Sequence, residues 1–230
     1  MRLSPRLQAI ADYVPKGAVV ADIGTDHGYI PVYLVDNKIS NKIIATDINK
    51  GPLENARVYI EKKGYSKFIE TRLGDGLKCL KPNEVDTIII AGMGGLLIRD
   101  ILENSKHITE TIENFIFQPM VASEDLRRYL YNNGYTIKDE KLAKEGNKIY
   151  EVIFVKHGND SVDRDVFYEI GKKLVENNDK YLREFLGNKI KKIENVLNTL
   201  RNNSSYENIL RYNYLKTKYE EYKKVFDDIC

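Results

Sequence analysis

Between residues 86 and 91 the chain reads Asp-Thr-Ile-Ile-Ile-Ala, with scarcely a polar side chain before Gly92. A strand with one wet face alternates polar and apolar residues. A strand without that alternation has both faces covered, as an inner strand of a parallel sheet between helices does. The surrounding sequence fits that architecture. Apolar runs at 18–23, 42–46, 68–73 and 114–118 alternate with helix-patterned segments at 29–35, 52–62, 96–102 and 123–132. Pro119 stops the fifth run because it has no N–H for a ladder. Ser123 is the expected cap of the next helix and Asn133-Gly134 its stop. Segments 136–143 and 148–155 flank Lys144-Glu145-Gly146-Asn147 and read as a hairpin. The expected domain is α/β: a mostly parallel sheet with right-handed crossovers and one antiparallel strand from a terminal hairpin.

Composition changes after His157-Gly158-Asn159-Asp160-Ser161. Beyond it the chain is charged and helical in pattern. Leu186, Ile190, Ile193, Leu197 and Leu200 follow a 4-3-4-3 spacing, and Tyr212, Leu215, Tyr219, Tyr222, Phe226 and Ile229 repeat it after a polar break at 201–205. Two such stripes predict an antiparallel helical coiled-coil hairpin. Segment 166–182 is the early part of its first helix or a separate helix. The expected domains are 1–158 and 159–230.

With 42% hydrophobic and 30% charged residues, the 230-residue chain is of the folded globular type. Cys79, Cys230 and the scattered His27, His107 and His157 form no metal-ligand pattern, so no metal is expected. No signal segment or membrane-length apolar run is evident, which predicts a cytoplasmic protein, taken to be a monomer. A net charge of +2 leaves any polyanion to local cationic patches.

Chemistry concentrates at the expected strand ends. The turn Asp22-Ile23-Gly24-Thr25-Asp26-His27-Gly28 lies between a strand and a helix. Gly24 permits a tight turn and close backbone approach, and Gly28 is expected to let the helix pack near the strand. A pyrophosphate would meet the Asp26 carboxylate here. A cationic sulfonium cofactor tolerates acidic neighbours far better. Asp47, closing the second strand before Ile48-Asn49, suits the two hydroxyls of a ribose. Gly74-Asp75-Gly76 ends the third strand. Ala91-Gly92-Met93-Gly94-Gly95 ends the fourth, leaving bare backbone and room for something flat.

Alternation followed by a terminal hairpin resembles the class I methyltransferase fold, a Rossmann-like sheet. Leu3-Ser4-Pro5-Arg6-Leu7, the Asp22–Gly28 turn, Ala45-Thr46-Asp47-Ile48-Asn49, Gly74-Asp75-Gly76, Ala91–Gly95 and Gln118-Pro119 together resemble the bacterial tRNA (adenine(22)-N1)-methyltransferase family. The general methyltransferase pattern, acidic-x-Gly-x-Gly-x-Gly, departs here at Asp26. The resemblance implies S-adenosylmethionine as cofactor and tRNA as partner. Asp22 would orient the turn or meet the methionine amino group, and Asp75 would take a hydrogen bond from the adenine amino group. The implied cofactor set is Asp22, Gly24, Thr25, Gly28, Asp47, Ile48, Asn49, Gly74, Asp75, Gly76, Ala91, Gly92 and Met93. Arg6, Gly94, Gly95, Gln118 and Pro119 are implied on the substrate side.

Adenine N1 attacks as a neutral nucleophile through an in-plane lone pair, so no general base is obligatory. Asp26 is the first candidate for stabilising positive charge developing on the base, with His27 orienting it or touching substrate. Capping or cofactor binding is the alternative for each. Candidate RNA-contacting cations are Arg2, Arg6, Lys62-Lys63, Arg127-Arg128 and a hairpin set that includes Lys189, Arg201, Arg211, Lys216 and Lys218. Rival readings are a class I methyltransferase for a small molecule or protein, and a non-catalytic RNA-binding protein with a vestigial cofactor fold.

Overall fold

The computed structural model describes residues 2–201 and 205–229. Cys230 and residues 202–204 of the expected interhelical break lie outside the described residues. The chain divides into two compact units, Met1–Ser161 and Val162–Cys230.

The first unit is a seven-stranded sheet with helices around it. In chain order it runs α1 (Pro5–Ala11), β1 (Val19–Ile23), α2 (Tyr29–Asp36), β2 (Lys42–Asp47), α3 (Lys50–Lys62), β3 (Ile69–Leu73), β4 (Thr87–Met93), α4 (Gly95–Glu103), α5 (Lys106–Thr109), β5 (Asn114–Pro119), α6 (Ser123–Asn132), β6 (Tyr135–Glu145) and β7 (Lys148–His157). The strand order is β3-β2-β1-β4-β5-β7-β6. The β1–β2, β1–β4, β2–β3 and β4–β5 pairs are parallel, whereas β7 is antiparallel to both β5 and β6. This is the expected α/β sheet with a terminal antiparallel hairpin.

Burial explains the apolar runs. Ile88, Ile89 and Ile90 of β4 are fully buried, and so are Phe115, Ile116 and Phe117 of β5. Each such side chain contributes about 1.5–3 kcal/mol relative to exposure. The helix α1 was not foreseen; Ser4 caps it, with Pro5 at its start. Ser123 is not a cap. It is the first residue of α6, behind Ala122 at φ +55°, and its hydroxyl donates to Glu151 at 2.8 Å. Gly134, at φ +77°, does end α6 as expected. Arg127 is not an RNA contact: it is fully buried, with Nε 2.7 Å from Glu140 and Nη2 2.5 Å from Glu151.

The second unit comprises α7 (Val166–Ile170), α8 (Lys172–Glu176), α9 (Leu182–Leu200) and α10 (Tyr206–Asp228). Segment 166–182 is thus two short helices, broken at Gly171. Tyr219 donates to Glu194 at 2.9 Å, and Gly187 faces Phe226. Partner numbers therefore rise on α10 as they fall on α9, the pairing of an antiparallel hairpin. Leu182, Leu186, Ile190 and Ile193 are buried on α9, with Tyr222 and Val225 on α10. Of the expected cations, Lys189 and Lys218 are committed within the unit. Lys189 donates to the Glu169 carbonyl at 2.9 Å, and Lys218 pairs with the Glu169 carboxylate. Among the described residues, no helix is long and apolar enough to cross a membrane.

Candidate active site

Strand order puts the site where ligands meet open α/β sheets. The chain leaves β1 towards β2 on one side and later returns to β4 on the other, so the C-terminal ends of β1 and β4 open a crevice. A cavity of about 430 Å³ lies there, within the range of small-molecule sites. Asp22, Gly24, Thr25, Asp26 and His27 reach it from the end of β1, Ala91 and Gly92 from β4, and Arg6 from α1. Sequence reasoning missed Leu7, Tyr29, Ile30 and Met120, which also line it. Tyr29 and Met120 directly follow residues already singled out, Gly28 and Pro119, and that adjacency was the available signal.

Asp22 is buried, and Thr25 Oγ1 donates to its carboxylate at 2.7 Å. Burial pushes its carboxyl up to about 6 from an ordinary 3.8; the Thr25 hydrogen bond opposes this and the nearby Asp47 carboxylate adds to it. Gly24 and Thr25 donate backbone N–H groups to the Thr46 carbonyl at 2.9 and 2.8 Å, folding the turn back on β2. Gly24 holds a left-handed φ of +75°, which favours glycine; a Cβ there would lie 2.5 Å from the Met93 methyl, the end of a flexible side chain that would have to shift. Gly28 holds a left-handed φ of +69° at the start of α2, and the nearest neighbour of a built Cβ would be Ala56 of α3, at 3.3 Å, rather than the strand the sequence suggested.

Asp47 lies one strand over. Its carboxylate accepts from the Asn49 N–H at 2.8 Å and the Asp26 N–H at 3.3 Å, so it ties the first two strand ends together. Ile48 beside it is 62% exposed. The Gly74 N–H donates to the Asp47 carbonyl at 3.0 Å, which aligns the third strand end with the second. Asp75 is exposed and pairs with Lys78 at 2.5 Å. Asp75 and Gly76 line a separate cavity of about 90 Å³. Ile48, Asn49 and Gly74 line neither cavity.

On the outer side, the exposed Asp26 and His27 side chains approach to 3.5 Å, and His27 lies 5.4 Å from the Tyr29 ring. Asp26 holds a left-handed φ of +52°, unusual without glycine. Arg6 Nη1 donates to Gln118 Oε1, and its guanidinium lies over the Tyr150 ring, 5.4 Å from the centroid. Gln118 is fully buried, and its amide also donates to the Pro119 carbonyl at 3.0 Å. The Gln118 side chain therefore bears on the cavity through Arg6. Gly92 has open space but for Arg6, whereas at Gly95 a Cβ would sit 2.1 Å from the Ala122 carbonyl oxygen. Gly95 is a packing requirement of the loop, and Gly94 packs beside Val121.

The donor set fits a cationic nucleoside cofactor. The Asp22 carboxylate is buried with the neutral Thr25 hydroxyl as its hydrogen-bond donor, which favours a cation, and neighbouring strand ends add further acceptors.

Residues 3–153 match a family model described as a methyltransferase domain. The chain is 43% identical, over 169 residues, to a tRNA (adenine(22)-N(1))-methyltransferase of Bacillus subtilis, covering 74% of this chain and 69% of that one. The crystal structure of the B. subtilis m1A22 tRNA methyltransferase TrmK superposes with a TM-score of 0.90 at 33% identity, over 98% and 99% of the two chains. M. capricolum TrmK, in complex with S-adenosyl-homocysteine, superposes with a TM-score of 0.86 at 29% identity over the whole of both.

Proposed function

The chain belongs to the tRNA (adenine(22)-N(1))-methyltransferase family, and on that premise we propose that it methylates N1 of adenine 22 in tRNA. The observation that carries the reading is the convergence of buried Asp22, the Gly24–Asp26 turn, Gly92 and Arg6 on one cavity at the β1/β4 crevice.

S-adenosylmethionine supplies an electrophilic methyl group on a cationic sulfur. Asp22 would hold the amino group of its methionine portion, with Thr25 fixing the carboxylate. Asp47, already anchored by two backbone N–H groups, has acceptor capacity left for ribose hydroxyls. Ile48 offers an apolar face beside it. Asp75 would accept from the adenine amino group of the cofactor after turning from Lys78. Gly24, Met93 and Ala91 shape the space between these groups.

The target adenine must leave any pairing to present N1, at a cost of a few kcal/mol. Gly92 leaves space for a flat base, and Tyr29, 42% exposed on the cavity wall, offers a ring for it. N1 needs no base to become nucleophilic, so catalysis rests on alignment and on favouring the cationic product. Asp26 takes the second role, with His27 beside it. Arg6 suits a backbone phosphate near the target. The chemistry needs no metal, and one chain supplies every residue invoked. The charged helical unit 162–230 adds backbone contacts that read tRNA shape, and a tRNA substrate sets the action in the cytoplasm.

Incubating unmodified tRNA with the protein and methyl-labelled S-adenosylmethionine, then mapping the modified nucleotide, tests the reading. Label at N1 of adenine 22 is expected. Label elsewhere, or none with cofactor bound, would overturn it.

A further inference from the structure

The turn between β5 and α6 presents two apolar side chains on a backbone held from several sides. Met120 and Val121 are 46% and 68% exposed. The Met120 N–H donates to the Met93 carbonyl at 2.7 Å, and the Val121 carbonyl accepts from the Gly95 N–H at 2.8 Å. The next residue, Ala122, holds a left-handed φ of +55°, a conformation that persists where surrounding bonds impose it. The Ala122 carbonyl oxygen sits where any Cβ on residue 95 would have to be. Gln118 contacts the Met120 sulfur at 3.6 Å. The tip is thus clamped to the β4–α4 loop.

Its position gives the tip a use. Met120 lines the cavity, and Val121 lies one residue beyond it, against Gly94. Single exposed apolar residues are ordinary on protein surfaces. A consecutive pair, fixed in a left-handed turn and continuous with a cavity meant for a base, is a more specific arrangement. We propose that Met120 and Val121 form a fixed apolar wedge that enters the tRNA base stack beside the target adenine. There it fills the gap left when that base turns into the cavity. The inference rests on the tRNA reading above.

The chemistry follows from where N1 lies. A base offered on its Watson–Crick edge leaves its partner and its stacked neighbours, and that separation is unfavourable. Apolar side chains inserted between base steps offset the loss and hold the stack open. A pre-fixed wedge does so without the ordering cost of a mobile loop. Methyl groups and a thioether carry no hydrogen-bond code, so the wedge opens the stack and leaves sequence reading to other residues.

The test compares wild type, Val121→Ser and Val121→Ile on two RNAs: unmodified tRNA, and the same tRNA with abasic sites in place of the target adenine's pairing and stacking neighbours. Val121 is 68% exposed and lies outside the buried core, so both changes leave the core intact. On intact tRNA, kcat/KM of Val121→Ser is expected to fall about tenfold while Val121→Ile stays near wild type. On the abasic tRNA the serine variant should lie within about twofold of wild type, with S-adenosylmethionine affinity unchanged in calorimetry. Equal loss on both RNAs, or loss on neither, would overturn the wedge while leaving the function standing. A wild type unable to methylate intact tRNA would overturn the function and the wedge together.

Discussion

Arg6 Nη1 and Gln118 Oε1 are 2.8 Å apart, joining residues separated by 112 positions in the chain. The buried amide fixes a cation that would otherwise sweep a wide arc, and Tyr150 beneath the guanidinium narrows it further. Arg6 is therefore a placed cation at the cavity wall.

Removing that cation should act on tRNA and spare the cofactor. Arg6→Ala is expected to lower kcat/KM for tRNA about tenfold, as loss of a charge-assisted contact does, with unchanged S-adenosylmethionine affinity. Gln118→Leu should give part of the same loss. The double variant should be no worse than Arg6→Ala alone, because Gln118 works through Arg6. Additive losses in steady-state assays would separate the two residues.

Asp22 predicts opposite pH trends for stability and for binding. Its carboxyl is raised to about 6 from 3.8 because burial penalises the ionised form. The stability it contributes is present below 3.8 and lost as pH rises through about 6. Asp22→Asn should then be more stable than wild type at pH 8, by about 3 kcal/mol at most, and no more stable at pH 3.5. A cationic amino group needs the ionised carboxylate, so cofactor affinity should weaken as pH falls below about 6. Calorimetric titrations and urea melts across that range check both trends.

Asp47 and Asp26 should separate binding from turnover. Asp47→Ala removes the acceptor for the Asn49 and Asp26 N–H groups, so cofactor affinity is expected to fall at least tenfold. Asp26→Ala leaves those bonds in place and should reduce kcat more than cofactor affinity. Matching losses of affinity would assign Asp26 to the cofactor.

Gly95→Ala should damage the loop that carries Met120 and Val121. Its Cβ would meet the Ala122 carbonyl oxygen at 2.1 Å, and overpacking of this kind costs about 1–3 kcal/mol. At Gly94 the nearest atom to a Cβ is Val121 Cγ2 at 3.5 Å, an ordinary contact. Gly94→Ala should therefore keep the wild-type urea midpoint while Gly95→Ala lowers it.

The Arg127 cluster tests a purely structural site. Arg127→Ala leaves the Glu140 and Glu151 carboxylates without their buried cation, and stability should drop by about 3–5 kcal/mol at pH 7. The deficit should shrink in acid as the carboxylates protonate. Chemical denaturation at two pH values measures it.

Local sequence carried most of the architecture because strand burial and helix periodicity leave direct marks. The isoleucines of β4 and the glycines of the β1–α2 turn are such marks. What stayed hidden depends on distant partners. Arg127 looks like a surface cation until Glu140 and Glu151 close on it, and Ser123 looks like a cap until Glu151 claims its hydroxyl. Gly95 looks like room for a base, yet its reason is the Ala122 carbonyl on another loop. The strand-end acids were legible singly, and the structure does not gather them in one cleft: Asp47 lines neither cavity. Their division between a cleft at Asp22 and a neighbouring hollow at Asp75 was not legible, because it depends on how α4 packs.

The order β5-β7-β6 bears on synthesis as well as on shape. A nascent chain that has reached Pro119 carries a strand, β5, that is wholly buried in the finished fold and whose outer edge is still open. That edge is not sealed until β7, which ends at His157 and lies between β5 and β6, has emerged. A ribosome stalled between those points would display a sticky, unpaired ladder. Trimming the chain there should yield aggregates, and the hairpin is thus a closing latch as much as a part of the sheet.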